Sequence, residues 1–244
     1  MTDAELYRRG VRTLIASWEE YARGARDAAV AHAPGVACGV FAAEPERAVY
    51  NNALLDRGRP ADERAAALDA MEAIYANAGV ARFAAWAHED DAPLRRDLER
   101  RGYTLAECTR AMGMAVEDVR VARPAIDLAP AEWFEYLRII GVPQDFLGAA
   151  DRTAYEILVA RLDGAGVAAA MAYDCDGDRG IYNVGTLDHA RWRGLGTALT
   201  ALLVHDACDR GLRSASLQST PIAERVYAAV GFVDLGRIFE YVRP

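Results

Sequence analysis

The stretch NVGTLDHARWRGLGTAL, residues 183–199, decides the fold. It starts as a β-like run, passes through a short polar loop, and reaches Arg191-x-x-Gly194-x-Gly196 where an apolar segment of helical periodicity begins. Glycines let a backbone approach a ligand closely, and the unpaired N–H groups at a helix start favour a pyrophosphate. Arg191 and Arg193 can add charge-assisted contacts. The pattern therefore predicts an anion-binding loop between a strand and a helix.

Two common phosphate-binding motifs do not fit this loop. Position 199 is Leu, so the dinucleotide pattern G-x-G-x-x-G is not met, and no Gly-Lys-Ser/Thr follows as a P-loop requires. A Gly-x-Gly at a helix start can also serve tight packing of helix against strand. Both interpretations remain open for the glycines taken alone.

Composition excludes several classes of protein. The chain has 244 residues, of which 52% are hydrophobic, and this content argues against a disordered or collagen-like chain. With 28 basic and 36 acidic side chains the formal net charge is −8, which makes nucleic acid an unlikely partner. Amines and other cationic small molecules are easier partners for such a chain.

The cysteines and histidines are scattered, without a CxxC pair or a Cys/His cluster. We therefore expect reduced, mostly structural thiols and no metal site. No window approaches the roughly 20 apolar residues of a membrane span, and the charged N-terminus has no apolar core of a signal peptide. These observations predict a cytoplasmic protein without a membrane partner.

Helical and strand-like segments alternate along the whole chain. Helices are expected over residues 3–30, 60–79 and 91–102, with β-like runs at 35–41, 48–55, 81–87 and 103–116 between or after them. The order predicts an α/β fold (α+β with a mixed sheet).

The second half repeats this order. Gly102 follows Asn52 by 50 residues, and Gly231 follows Asn183 by 48, with strand, helix, strand and helix in the same sequence. We interpret the repeat as an internal duplication and expect two domains, 1–120 and 121–244.

Two motifs in the second half resemble those of one family. Arg191-x-x-Gly194-x-Gly196 resembles motif A of the Gcn5-related N-acetyltransferase (GNAT) superfamily, and Tyr227-Ala-Ala-Val-Gly231-Phe232 resembles its closing Tyr-x-x-x-Gly-Phe element. The resemblance covers roughly residues 126–244. It implies a GNAT fold and binding of acetyl-CoA or another acyl-CoA as co-substrate, without a metal.

The resemblance also implies roles for individual residues. Pantetheine would pair with the backbone of a splayed strand, and the pyrophosphate would lie on the loop and helix start. The implied donor-binding residues are Val184, Gly185, Thr186, Arg191, Arg193, Gly194, Leu195, Gly196, Thr197 and Ala198. Tyr227 stands where the general acid is usually found, and a phenol stays protonated at neutral pH.

No general base is assigned. The run GIYNVGTL has no carboxylate, and its neighbourhood offers only Tyr182, Asn183, Ser219 and Thr220 as polar groups that could hold a water. The aspartates at 174, 176 and 178 are expected in a solvated turn.

The first half of the sequence lacks both the Gly-x-Gly loop and the tyrosine. Its loop reads Arg57-Gly-Arg-Pro60 without Gly-x-Gly, and Leu98 stands where the second half has Tyr227. The chain therefore resembles tandem GNAT proteins in outline, with a degenerate N-terminal half.

The expected function is transfer of an acyl group, acetyl in the first place, from CoA to an amine by direct attack. Two alternatives stay open. The same scaffold could use another acyl donor or an aminoacyl group carried on RNA, or it could be a non-catalytic CoA-binding regulatory module. The sequence identifies neither the acceptor nor the oligomeric state.

Overall fold

The computed structural model describes residues 1–43, 50–129, 132–142 and 151–243. The helices are α1 (Asp3–Gly24), α2 (Ala61–Asn77), α3 (Ala92–Arg100), α4 (Trp133–Ile140), α5 (Leu195–Asp209) and α6 (Glu224–Val230). The strands are β1 (Ala28–Ala33), β2 (Val36–Phe41), β3 (Asn52–Leu55), β4 (Ala84–His88), β5 (Thr104–Ala115), β6 (Leu128–Ala129), β7 (Glu156–Leu162), β8 (Ala165–Cys175), β9 (Asp178–Thr186), β10 (Ser214–Ser219) and β11 (Val233–Val242). The fold is mixed α/β, as the alternation of segments predicts.

The chain forms two compact units. Unit 1 contains residues 1–17 and 110–235, and unit 2 contains residues 18–109 and 236–244. These units cut across the predicted boundary at residues 120/121, because each takes segments from both halves of the sequence. The second part of β5 pairs with β10 in unit 1, and the second part of β11 pairs with β4 in unit 2.

Unit 1 contains strands in the order β6-β7-β8-β9-β10-β5. All neighbours are antiparallel except β9 and β10, which run parallel. Helices α5 and α6 cover one face through an apolar core that includes Leu199, Leu203 and Val230. Helix α4 packs against the other face, where the Tyr136 hydroxyl contacts Met171 Sδ at 3.4 Å.

Unit 2 contains strands in the order β1-β2-β3-β4-β11. Only β3 and β4 run parallel. Helices α2 and α3 cover one face and bury Leu68, Met71, Leu94 and Leu98 against it.

The first helix is shorter than the sequence pattern predicts. Helical spacing suggests a helix to residue 30, but α1 ends at Gly24 and β1 begins at Ala28. Asp27 between them has φ +51°, a left-handed conformation that Asp tolerates better than most residues. The turn at Asp27 thus converts the last predicted helical residues into a strand.

A fully buried arginine ties the start of β9 to its neighbours in unit 1. Arg179 makes a bidentate ion pair with Asp174 on β8 (2.7 and 2.9 Å) and contacts Asp206 of α5 at 2.9 Å and Glu156 of β7 at 2.8 Å. It also donates to the Leu203 carbonyl oxygen at 3.1 Å. Burial raises the pKa of Glu156, and the positive charge of Arg179 opposes this rise.

We expect Arg179→Met to lower the free energy of unfolding by about 3–5 kcal/mol, because it leaves several carboxylates without their buried partner. The control is Arg12→Ala, which removes an exposed pair with Asp176 and should cost less than about 1 kcal/mol. Urea unfolding of both variants at pH 7 provides the measurement. Equal losses in the two variants would contradict this role for Arg179.

Candidate functional site

The parallel pairing of β9 and β10 is short. It joins Asp178, Arg179 and Gly180 to Ser214, Ala215 and Ser216, in that order. Within the described part of the chain, β9 residues 181–186 then have no strand partner on that side, although they stay paired with β8 on the other. One edge of β9 is therefore open, with backbone N–H and C=O groups available to a ligand.

Strand β9 also carries a bulge at this opening. Gly185 pairs with Ala169 and Tyr182 with Met171, so Asn183 and Val184 together stand opposite a single β8 residue. Asn183 has φ +52°, and its side-chain amide donates to the Tyr136 hydroxyl of α4 at 2.9 Å. The bulge bends β9 where the open edge begins.

The loop after β9 is held by its own backbone. Leu187 donates to the Val167 carbonyl oxygen at 2.9 Å, a 3₁₀ turn follows at Asp188–Ala190, and Ala190 is fully buried. Arg191 donates to the Thr186 carbonyl oxygen at 3.3 Å and pairs with Asp188 at 2.8 Å. The next arginine, Arg193, is exposed and has no ion-pair partner among the described residues.

The start of α5 is uncapped. Gly194 at the N-cap has φ +74°, and no side chain there accepts a hydrogen bond from the helix. The backbone amides of Leu195, Gly196 and Thr197 have no acceptor in the described ranges of the chain. Free amides and the positive end of a 15-residue helix are features that favour an anion.

Two backbone amides that the sequence assigns to this anion-binding position already donate hydrogen bonds within the protein. Ala198 N–H donates to the Gly194 carbonyl oxygen at 2.9 Å, and Arg191 N–H donates to the Asp188 carbonyl oxygen at 3.3 Å. The prediction of amide donors across 191–198 was therefore too broad, because helix and turn hydrogen bonds occupy both ends of that range.

The glycines of the loop border open space. A Cβ at Gly194 would meet nothing within 4 Å, and one at Gly196 would meet only Val184 and Val226 methyl groups at 3.8 and 3.9 Å. Tight packing of helix against strand therefore does not explain either glycine. A side chain would fit at both positions, beside the free amides at the start of α5.

Tyr227 lies on α6, one residue after the Val226 side chain that borders Gly196. It is 6% exposed, and its ring makes an edge contact with Phe232 at 6.2 Å. Burial raises the pKa of the phenol to about 12, so the hydroxyl keeps its proton at neutral pH. Its oxygen has no hydrogen-bond partner among the described residues, yet it is not one of the enclosed unpaired atoms. The hydroxyl can therefore donate to an outside group.

The Gly231-Phe232 element ends α6. Both backbone amides donate to the Tyr227 carbonyl oxygen, at 3.2 and 3.1 Å. Gly231 has φ +132°, and a Cβ there would lie 2.8 Å from the Asp118 carbonyl oxygen. This glycine is therefore required by the backbone and packing, whatever the role of Tyr227.

Comparison with known proteins supports the resemblance seen in the motifs. Residues 123–232 match the family model described as "Acetyltransferase (GNAT) family". These residues contain the loop, the open strand and Tyr227. This part of the chain is therefore similar to the GNAT family. No curated protein matches the chain in sequence.

Solved GNAT structures share the fold. A GCN5-related N-acetyltransferase from Kribbella flavida is 18% identical, with 97% of this chain and 95% of that chain covered and a TM-score of 0.72. One from Sphaerobacter thermophilus is 17% identical, with 86% and 78% covered and a TM-score of 0.66. A tandem GNAT protein from the clavulanic acid biosynthesis pathway is 13% identical, with 85% and 77% covered and a TM-score of 0.59. At these identities the similarity concerns the fold alone.

Three of the four polar groups considered as holders of a catalytic water are enclosed or already hydrogen-bonded. The Tyr182 hydroxyl is buried, which raises its pKa, and Ser219 donates to the Thr220 carbonyl oxygen at 2.8 Å. Asn183 supports the bulge through Tyr136, a residue that sequence reasoning missed. A tyrosine 47 positions earlier gives no local signal of such a contact.

The prediction of a solvated aspartate turn was wrong for two of its three residues. Asp174 pairs with buried Arg179. Asp178 is 1% exposed and accepts hydrogen bonds from Ser214 at 2.6 Å and Ser216 at 2.7 Å. Only Asp176, which lies in the turn with φ +48°, is solvated. The spacing of the aspartates alone could not show which of them face the sheet.

In unit 2, the loop before α2 corresponds to the loop before α5, and side chains of unit 2 itself contact it. Asp91 is buried and accepts from the backbone amides of Gly58 at 2.9 Å and Leu94 at 3.0 Å. Arg59 pairs with Asp56 and Glu63 on the same surface. The start of α2 lacks a side-chain cap as the start of α5 does, so the two loops differ in their charges: Arg57 and Arg59 are ion-paired, whereas Arg193 has no ion-pair partner among the described residues.

The described ranges were compared with the patterns of a metal site and of a membrane-spanning helix, and neither pattern is present there. No group of three or more His, Cys, Asp or Glu side chains there is arranged to hold a metal ion. No helix in these ranges combines the length and apolar character needed to cross a membrane.

Proposed function

We propose that the protein is an acyl-CoA-dependent N-acyltransferase that moves an acetyl group to a primary amine of a small molecule or peptide. The observation that carries the proposal is the uncapped start of α5, where three free amides lie beside Gly194 and Gly196, two glycines that no close packing requires. This position lies at the end of the open edge of β9. The GNAT match over residues 123–232 supports the same conclusion.

The donor would be bound by backbone groups. The amides of Leu195, Gly196 and Thr197 would hold the pyrophosphate, with exposed Arg193 adding charge. The open edge of β9 at Val184–Thr186 would pair with the pantetheine, as an extra strand would. Amides that point at the thioester carbonyl would stabilise the negative charge that develops on its oxygen.

Tyr227 would act as the general acid. The amine nitrogen forms a bond to the thioester carbon, the carbon–sulfur bond breaks, and the phenol gives its proton to the departing sulfur. A pKa of about 12 keeps that proton in place until negative charge develops. No acyl-enzyme is needed in a direct transfer, and the general base stays unassigned.

We also infer that the chain arose by internal duplication with a degenerate first half. The series β7-β8-β9-β10-β5 in unit 1 and β1-β2-β3-β4-β11 in unit 2 have the same order of antiparallel and parallel neighbours. Each series takes its fifth strand from the other half of the sequence. The bonded amide of Gly58 supports a loss of donor binding in unit 2.

Acetyl-CoA should raise the melting temperature of the wild-type protein, since a ligand at 100 times its Kd adds about 2.7 kcal/mol of stability. Gly196→Asp should abolish this shift, because its carboxylate would face the pyrophosphate. The variant itself should fold normally, since a Cβ fits at this position and an acidic residue suits the first turn of a helix.

Ala61→Asp is the matched control for that experiment. It places the same carboxylate at the exposed first residue of α2 in unit 2 and should keep the full shift. A Gly196→Asp variant that still responds to acetyl-CoA would exclude the α5 loop as the donor site.

Tyr227→Phe should lower kcat by about 10²–10⁴-fold while leaving the Kd for acetyl-CoA nearly unchanged. The hydroxyl is needed chiefly as charge develops on sulfur, and phenylalanine keeps the ring contact with Phe232. The measurement is release of free thiol with an amine acceptor, under conditions where chemistry limits the rate. Tyr103→Phe, at a buried tyrosine of unit 2, is the control. Wild-type turnover in Tyr227→Phe would remove the proposed acid.

A further inference from the structure

The helix that carries Tyr227 is too short to be stable alone. Helix α6 has seven residues, and no side chain at its N-cap residue, Ala223, accepts a hydrogen bond from its first turn. Isolated helices shorter than about 12–15 residues are marginal in water. The buried side chains of Tyr227 and Val230 attach one face of α6 to the core of unit 1. The position of α6 therefore depends on its contacts with the rest of the unit.

Arg110 of β5 contacts the chain on both sides of Tyr227. Its Nε atom lies 3.0 Å from Oε1 of Glu224, the first residue of α6, and its guanidinium also pairs with Asp234 of β11. The Arg110 side chain is 14% exposed, so solvent screens its pair with Glu224 less than it screens pairs on the open surface. One cation thus joins the start of α6 to the strand that follows it. We call Arg110, Glu224 and Asp234 the Arg110 clamp.

The ion pair with Glu224 acts on the part of α6 that carries Tyr227. Residues three apart on a helix are neighbours, with Cβ atoms about 5–6 Å apart. Glu224 and Tyr227 have this spacing. The Tyr227 hydroxyl has no hydrogen-bond partner among the described residues, so no polar contact of its own fixes the ring. The direction of the ring is set by its packing, which includes Phe232, and by the position of α6.

We infer that Arg110 is a positioning residue for Tyr227. The Arg110 clamp holds the start of α6 against β5, and α6 in turn holds the phenol where it reaches the departing sulfur of the donor. Arg110 acts through Tyr227 rather than on the substrate. The inference rests on the proposed acyl transfer, in which Tyr227 is the general acid. A misplacement of about 1 Å at a reacting group can lower the rate about 10²-fold, so a loosened helix has a measurable effect.

Arg110→Met tests the position of the ring without a substrate. Methionine keeps much of the length of the side chain and removes its charge. The readout is the Tyr227 signal in a ¹⁹F spectrum of the full chain labelled with 3-fluorotyrosine, assigned with Tyr227→Phe. This signal should shift or broaden in Arg110→Met. Glu224→Gln, which keeps the shape of its side chain and leaves the pair with Asp234, should move the signal in the same direction. An unchanged signal in both variants would overturn the inference.

Arg64→Met is the matched control. Arg64 pairs with Asp97 in unit 2 at 2.9 Å, and both side chains are about as buried as that of Arg110. Loss of this pair should lower the free energy of unfolding but leave the Tyr227 signal and kcat unchanged. Arg110→Lys keeps the positive charge and should restore part of the wild-type signal. A Tyr227 signal that moves equally in Arg64→Met and Arg110→Met would reveal a general loss of packing and overturn the inference.

A kinetic test separates positioning from general stability. Arg110→Met should lower kcat by about 10–10²-fold, with a Kd for acetyl-CoA near the wild-type value. In the Tyr227→Phe background the same substitution should change kcat less than about twofold, because the proton donor through which Arg110 acts is already absent. The readout is thiol release from acetyl-CoA with the amine that gives wild-type turnover.

The outcomes distinguish this inference from the proposed function. Equal losses of kcat in the two backgrounds, or no loss in Arg110→Met where Tyr227→Phe is slow, would overturn the role of Arg110 and leave the acyl transfer standing. A wild-type protein that releases no thiol from acetyl-CoA with any amine tested would instead overturn the proposed function.

Discussion

Strands β9 and β10 pair over three residues of each strand and then separate. Buried polar contacts fix the paired end. Asp178 accepts hydrogen bonds from the hydroxyls of Ser214 and Ser216. Arg179 forms ion pairs with carboxylates on three elements of unit 1. The other end is bent by the bulge at Asn183. Because one end is held and the other is bent, the backbone edge of β9 stays open beside the uncapped start of α5. The candidate site is a consequence of this geometry.

The two units show how the same strand order can give different chemistry. In unit 1 the start of α5 leaves three backbone amides without an acceptor, and a side chain would fit at both of its glycines. In unit 2 the loop before α2 has a proline at the N-cap, a bonded Gly58 amide and paired arginines. Internal carboxylates pair with the arginines of that loop, although the start of α2 has no side-chain cap. Donor groups that are already bonded or ion-paired within the protein are not available to an anionic ligand.

The loop and the helix start of the candidate site could be predicted from the sequence. The Arg-x-x-Gly-x-Gly loop and Tyr227 are local signals, since glycine at a helix start and apolar periodicity can be recognised without tertiary structure. The exchange of strands between the units could not be predicted, because it depends on pairing over more than a hundred residues. The bulge at Asn183 and the burial of Asp178 likewise come from register. A single residue of register decides which face a side chain takes.

We propose that unit 1 binds an acyl-CoA through the open edge of β9 and the start of α5, while unit 2 binds none. A crystal structure of the protein with CoA tests this claim most directly. The account predicts one CoA per chain, with its pyrophosphate at the amides of residues 195–197 and its pantetheine along residues 184–186. Density for CoA at the loop of residues 57–63, or no CoA at α5 under conditions where solution binding is saturated, would contradict it.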